Sequence, residues 1–276
     1  PSFFFAFSFM RAIIPYGAII LATVLPLAVA IPERLGRDKR LVRQQFSAYV
    51  SPDVLTQLTD DPELVAHGVR REVTLLFADV RGSTSLSEQI EPEVWVAQLN
   101  EYLSQMSDAI FECNGYLDKF MGDGIMALWN AFGNQPDHAD LAAQASLEML
   151  RRLEVLNRYW AQHEQRTPFR IGIAIHSGEA IVGNVGSDQR MQYTAIGDSV
   201  NTAARIEGMT KLHGRQFLAS ETAAELISPE VARLVEIGET EVRGRAQTIT
   251  IFGLADEQPV GANEQGPPVL QATAEE

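Results

Sequence analysis

The sequence predicts an α+β fold of split βαβ order behind a membrane-spanning helix. Three observations lead there: a long uncharged stretch near the start, short strand-like runs interleaved with two amphipathic helices, and a glycine turn joining two of those runs. Residues 1–32 form the membrane segment. From Ala12 to Ile31 the chain reads AIIPYGAIILATVLPLAVAI, twenty residues without a charge. At 1.5 Å per residue a helix of that length spans about 30 Å, the hydrocarbon thickness of a bilayer. Pro15 and Pro26 are tolerated in membrane helices. A signal peptide has a shorter apolar region with basic residues before it; here the basic cluster RLGRDKRLVR comes after. That cluster puts the downstream chain on the cytoplasmic side of a cell membrane. Phe3, Phe4, Phe5, Phe7 and Phe9, and a start at Pro1, read as the end of a longer N-terminal region.

Charge divides the chain in the same way. The whole carries −14, with 22 Lys and Arg against 36 Asp and Glu, yet residues 1–50 hold six basic residues and only two acidic ones. The acidic remainder excludes a nucleic-acid polymer as partner, which needs a basic face to displace counterions. Cys113 is the single cysteine, so neither a disulfide framework nor a cysteine-rich zinc site exists. With at most one or two spanning segments, a transporter is excluded as well.

Residues 33–68 read as a juxtamembrane connector broken at Pro52 and Pro62. The compact domain occupies 69–255. REVTLLFADV, residues 71–80, is an apolar run of strand formers. Trp95, Leu99, Leu103, Met106 and Ile110 recur at helical spacing along one face. YLDKFMGDGIMALWNA predicts two strands joined by a turn at Gly122-Asp123-Gly124. Leu141, Ala145, Met149, Leu153, Leu156 and Trp160 mark a second amphipathic helix. Phe169, Ile171, Ile173 and Ile175 alternate with Arg170, Gly172, Ala174 and His176, the period of a half-buried strand. The glycines of SGEAIVGNVG predict a hairpin, followed by a helix over 199–207 and strands around Phe217 and over 248–252. Strand–helix–strand–strand–helix–strand is the ferredoxin-like order, with extra elements appended. The tail 256–276 has five acids and no base among Pro, Gly, Gln and Ala, and is expected to be disordered.

Asp79 ends a strand and Asp123 occupies a tight turn between two others. Each alone is an ordinary turn aspartate; together, on adjacent strands, they suit a pair of Mg²⁺ ions, which prefer few carboxylates plus phosphate oxygens. The loop after Asp79, RGSTS, offers Gly82, Ser83 and successive backbone N–H groups at a helix start, either a phosphate cradle or a plain Ser/Thr cap. Lys119, inside YLDKFM, has no partner in its own stretch, and burying a lone ammonium costs several kcal/mol. Asn201 and Arg205 lie four apart on one helix face. His176 reads as structural.

LFADVRGST, DKFMGDGIMALW and YTAIGDSVNTAARIE resemble, in order and spacing, the class III nucleotide cyclase catalytic domain over roughly residues 70–254. The resemblance implies that Asp79 and Asp123 are the metal aspartates, with the Val80 carbonyl as a further ligand for two Mg²⁺ or Mn²⁺ ions per site. It implies that Lys119 and Thr194 select the purine, that Asn201 orients the ribose, and that Arg205 meets charge on the α-phosphate. Arg245, in VRGRA, is implied at the terminal phosphates. Guanylate cyclases carry Glu and Cys at the two base-selecting positions, so Lys119 and Thr194 imply ATP. Thr194 further resembles the bicarbonate-responsive subgroup, where many adenylate cyclases have Asp. The family builds its site at a dimer interface, one subunit giving the metal aspartates and the other the base-selecting residues, Asn and Arg. This chain holds both sets, so the resemblance implies a homodimer making cyclic AMP and pyrophosphate. The alternatives are a guanylate cyclase or an inactive cyclase-like dimerisation module. A diguanylate cyclase would show GG(D/E)EF, which is absent.

Overall fold

The computed structural model describes residues 55, 68–163, 166–187, 190–241 and 248–257. The apolar segment 12–31, all of the connector except 55 and 68, Arg245 and the tail from 258 lie outside them. No helix among the described residues is long and apolar enough to cross a membrane.

Eight strands form one sheet: β1 (Val69–Val80), β2 (Tyr116–Met121), β3 (Gly124–Trp129), β4 (Ile171–Ser187), β5 (Arg190–Ile196), β6 (Phe217–Ser220), β7 (Leu234–Glu241) and β8 (Thr248–Leu254). The order is β2-β3-β1-β4-β6-β8-β7, with β5 paired to the outer part of β4. In the expected βαββαβ unit, β2-β3-β1-β4, every neighbouring pair is antiparallel. Helices α1 (Ser83–Gln89) and α2 (Pro92–Glu112) connect β1 to β2. Next, α3 (His138–Trp160) connects β3 to β4, α4 (Asp198–Leu212) follows β5, and the short α5 (Glu221–Ala224) follows β6.

Strand β1 is apolar at successive positions because both its faces are covered. Leu76, Ala78 and Val80 face the α2 and α3 side with Met106, Ile110 and Met149, while Val73, Leu75 and Phe77 face Tyr116, Met126 and Tyr193. Phe169 joins the first layer, its ring 5.0 Å from Trp160 of α3 and 5.8 Å from Tyr102 of α2. On α2 the face is turned slightly from the expected stripe: Gln98 and Tyr102 are fully buried, and Trp95, Leu99 and Leu103 only partly. On α3 the alanines at 139, 142, 143 and 145 lie innermost, and Leu141 and Leu156 are only partly buried.

Two expectations are corrected. Residues 171–175 are buried on both faces rather than one, because Ile171, Ile173 and Ile175 join the α2–α3 layer while Ala174 packs under Ile206 and Met209 of α4. The glycines of SGEAIVGNVG do not make a hairpin of their own; β4 runs straight through them for 17 residues and turns back only into β5. Gly178 serves close approach instead: a Cβ there would sit 2.7 Å from Ser199 Oγ at the start of α4. Strand β7 was not expected. Its sequence LVEIGETE alternates weakly, as an exposed edge strand does.

Helix α4 also crosses β4 at Gly172, where an added Cβ would run into Thr210 Oγ1 and lie 2.9 Å from Glu207 Oε1. Gly172→Ala is therefore expected to destabilise the domain by about 1–3 kcal/mol. A urea midpoint lowered at unchanged slope checks this.

Candidate active site

The β1–β3 register pairs Ala78 with Ile125 and so sets the Gly122–Asp123 turn against the end of β1. Asp123 Oδ2 accepts from the Val80 N–H at 3.2 Å, and its carboxyl lies within hydrogen-bonding reach of Asp79. Burial, then the charge of Asp123, then that of Glu207, push the Asp79 carboxyl up to about 7. Two carboxylates held this close lower their mutual repulsion by sharing a proton or a cation. Among the described residues no group of three or more His, Cys, Asp or Glu is gathered to hold a metal ion. A pair of carboxylates that leaves its other ligands to phosphate and water oxygens is the donor set Mg²⁺ prefers, with Val80 at the same corner. The residues fit the implied ions.

Three residues after Asp79, Gly82 takes the left-handed conformation (φ 68°) that admits glycine most readily, and α1 begins at Ser83. No side chain caps that helix start. The cap position falls on Gly82, which has no side chain to offer, so Ser83 is the first helical residue and not the cap.

The second constellation surrounds Lys119. Strand β2 carries a bulge, with the register jumping from Leu117↔Ala127 to Lys119↔Met126 and Asp118 as the extra residue. In a regular strand, Asp118 and Lys119 would point to opposite faces; a bulge re-aims one of them. Both reach Thr194 on β5. Lys119 Nζ donates to Thr194 Oγ1 at 3.2 Å, and Thr194 Oγ1 donates to Asp118 Oδ2 at 2.5 Å. Gln192 Nε2 donates to Asp118 Oδ1 at 3.0 Å, and Lys119 Nζ lies 3.7 Å from that oxygen. Burial pushes the Asp118 carboxyl up, while the bonds from Thr194, Gln192 and Lys119 oppose it. The aromatic group Tyr116, Phe132 and Tyr193 fixes β5 against β2: Phe132 and Tyr193 stack at 4.8 Å, and Tyr116 OH donates to the Tyr193 carbonyl at 2.6 Å. The lone ammonium expected from the sequence thus has its partners, supplied by β5 and the bulge.

Asn201 and Arg205 lie on the outer side of α4, whose inner side is Thr202, Ala203, Ile206 and Met209. Asn201 is exposed and Arg205 partly so. The structure brings Asp79 to Asp123 and Lys119 to Thr194. Among the described residues, no hydrogen bond or ion pair joins Asn201 or Arg205 to either pair.

Sequence reasoning missed Asp118 and Gln192, and also the charges behind the Asp79 corner. Burial lowers the Arg81 guanidinium, and the nearby Glu207, Glu257 and Asp79 counter it. Tyr102 is wholly buried, its hydroxyl without a hydrogen-bond partner among the described residues; burial and the charges of Asp123, Asp79 and Glu207 raise it. Adjacency of Asp118 to Lys119 was the one available signal, and strand alternation argued against it.

Residues 65–255 match the family model of the adenylate and guanylate cyclase catalytic domain. The chain belongs to that family. Adenylate cyclase 1 of Rhizobium meliloti (strain 1021) is 38% identical over 184 residues, which is 66% of this chain and 27% of that protein. The adenylate cyclase of Anabaena cylindrica is 36% identical over 227 residues, 80% of this chain and 43% of that protein. The chain therefore spans less than half the length of either relative. Among solved structures, the adenylyl cyclase CyaB of P. aeruginosa superposes with TM-score 0.64 at 31% identity, over 71% of this chain and 100% of that one. The guanylyl cyclase Cya2 superposes with TM-score 0.62 at 33% identity, over 73% and 99%. Likeness to these two solved structures, one of each kind, is nearly equal.

The raised Asp79 carboxyl makes the cyclase domain's stability depend on pH. Its folded value, about 7, lies above the ordinary 3.8, so the native state binds the proton more tightly. Stability from this group is complete at low pH and is lost as pH rises toward and through the folded value. Metal-free Asp79→Asn is therefore expected to melt above wild type at pH 8, with the gap closing as pH falls toward 4. Mn²⁺ should raise the melting temperature of wild type and not of the variant. A gap independent of pH contradicts the assignment.

A second expectation concerns Tyr102. Tyr102→Phe removes an unpaired buried hydroxyl and should leave stability unchanged or raise it by about 1 kcal/mol in urea unfolding.

Proposed function

We propose that the chain is an adenylate cyclase that works as a homodimer and converts ATP to 3′,5′-cyclic AMP and pyrophosphate, with two Mg²⁺ or Mn²⁺ ions per site. It acts in intracellular signalling, tethered to the cell membrane by residues 12–31 with the catalytic domain on the cytoplasmic side. The observation that carries this reading is the presence, on one cyclase-family chain, of both the paired carboxylates Asp79 and Asp123 and the Lys119–Thr194 hydrogen bond. Adenine offers an acceptor at N1 and a donor at N6. A lysine ammonium, which only donates, suits N1.

In the reaction a bond forms between the ribose 3′-oxygen and the α-phosphorus as the bond to pyrophosphate breaks, and the 3′-hydroxyl proton is released. Bound at Asp79 and Asp123, the metal ions would acidify the hydroxyl and neutralise phosphate charge. Lys119 and Thr194 hold the base, Asn201 orients the ribose, and the backbone N–H groups of Gly82 and Ser83 are assigned to phosphate oxygens. Arg205 meets charge gathering on the α-phosphate, an interaction worth about 3 kcal/mol in a site closed to water. Arg245 is assigned to the terminal phosphates. Bicarbonate enters as a candidate effector through Thr194.

Homodimerisation is supported by two features. Asn201 and Arg205 lie on the outer side of α4, and among the described residues no hydrogen bond or ion pair joins them to the carboxylates, as expected if they serve a second copy's site. Apolar side chains also stand exposed along the β4–β5 arm and the end of β2, among them Met191 at 54%, Ile181 at 50%, Ile196 at 49% and Met121 at 46%.

The test is complementation. Asp79→Ala and Arg205→Ala should each reduce cyclic AMP formation by at least 10²-fold. Mixed in equal amounts and allowed to exchange, they should recover about a quarter of wild-type activity, because half the dimers then hold one intact site. No recovery with mixed dimers formed contradicts the shared site. Cyclic GMP as the main product contradicts the choice of purine.

A further inference from the structure

We propose that Asp118 is a positioning residue that fixes the direction of the hydrogen bond Thr194 offers the purine, and through it the preference for adenine over guanine. The inference rests on the reading of Lys119 and Thr194 as the base-selecting pair and adds the group that sets their polarity.

A threonine hydroxyl has one hydrogen to donate and two lone pairs. In Thr194 the hydrogen is taken by Asp118 Oδ2 at 2.5 Å, and one lone pair is taken by Lys119 Nζ at 3.2 Å. Only a lone pair is left for a ligand, so Thr194 presents an acceptor. The donors around Asp118 oppose the effect of burial and favour its ionised, accepting form. Its side chain is fully buried, and the groups facing it are donors: Thr194 Oγ1, Gln192 Nε2 at 3.0 Å and Lys119 Nζ at 3.7 Å. An ionised carboxylate only accepts. The ammonium of Lys119, one third exposed, spends one N–H on Thr194 and leans toward Asp118, leaving a donor for the ligand. A donor beside an acceptor matches N1 and the N6 amino group of adenine. Against guanine in the same pose, the acceptor meets O6 and the donor meets N1–H, both mismatched.

The bulge in β2 makes the arrangement possible, since it lets Asp118 and Lys119 converge on one hydroxyl. A buried carboxylate also serves packing, so the test must read something packing does not move. Asp118→Asn provides it. The Lys119 ammonium draws the amide oxygen of Asn to its own side, which turns the NH₂ toward Thr194 Oγ1. That NH₂ then donates to Thr194 and releases the threonine hydrogen toward the base.

The experiment measures kcat/KM with ATP and with GTP, and in parallel the Mg²⁺-dependent Kd of 3′-deoxy-ATP and 3′-deoxy-GTP, which lack the reacting hydroxyl. Wild type should prefer the adenine nucleotide in both. Asp118→Asn should lower the ATP/GTP ratio by about tenfold, mainly through KM and Kd. In a Thr194→Val background the same substitution should leave the ratio unchanged, because Asp118 acts through that hydroxyl. If the isostere does not fold, Gln192→Ala at an exposed position loosens the same carboxylate and should lower the ratio by about twofold. Equal losses with both purines, or an undiminished effect of Asp118→Asn without the Thr194 hydroxyl, overturn the inference and leave the base-selecting reading standing. A wild type that prefers GTP, or binds neither analogue, overturns that reading and the inference with it.

Discussion

Pairing Ala78 with Ile125 across β1 and β3 holds the carboxylates of Asp79 and Asp123 together whatever their charge. Twelve residue pairs between β1 and β4, from Val69↔Val182 to Val80↔Ile171, fix the other side of the same strand. The fold's apolar layers carry the cost of that repulsion. Leu76, Ala78 and Val80 are buried under α2 and α3, and Val73, Leu75 and Phe77 lie beneath the opposite layer, so β1 cannot shift to relieve it. The result is a corner where a cation is worth more than on an open surface, because burial and the neighbouring acids Asp123 and Glu207 already disfavour the ionised Asp79.

Much of this was legible in the sequence. Apolar runs and helical spacings gave the βαββαβ order, and the Gly122-Asp123-Gly124 turn falls between β2 and β3 as read. The aspartate pair was legible too, since strand ends and turns are set by local signals. Three features were not. The run through β4 was misread because Gly178 looks like a turn residue, whereas its role is to let Ser199 approach. The edge strand β7 alternates too weakly to stand out. Asp118 was hidden by the alternation rule itself: a bulge depends on how β2 meets β3, and nothing in YLDKFM announces one.

The two constellations differ in how the chain completes them. The Lys119 group is closed within one copy, where Thr194, Asp118 and Gln192 satisfy one another and the Tyr116–Phe132–Tyr193 cluster holds β5 in place. The carboxylate corner is open, with α1 beginning beside it uncapped. Among the described residues, no hydrogen bond or ion pair joins Asn201 or Arg205 to either. Such a distribution makes sense for a protein whose site is finished by a second copy, and the exposed apolar residues along the β4–β5 arm give that copy a surface to cover.

That division of one site between two chains is the central claim, and dilution tests it most directly. Cyclic AMP formation per milligram, measured beside the sedimentation behaviour of the same samples, should fall in step with the fraction of dimer as the protein is diluted. Full specific activity in samples that sediment as monomer would contradict it.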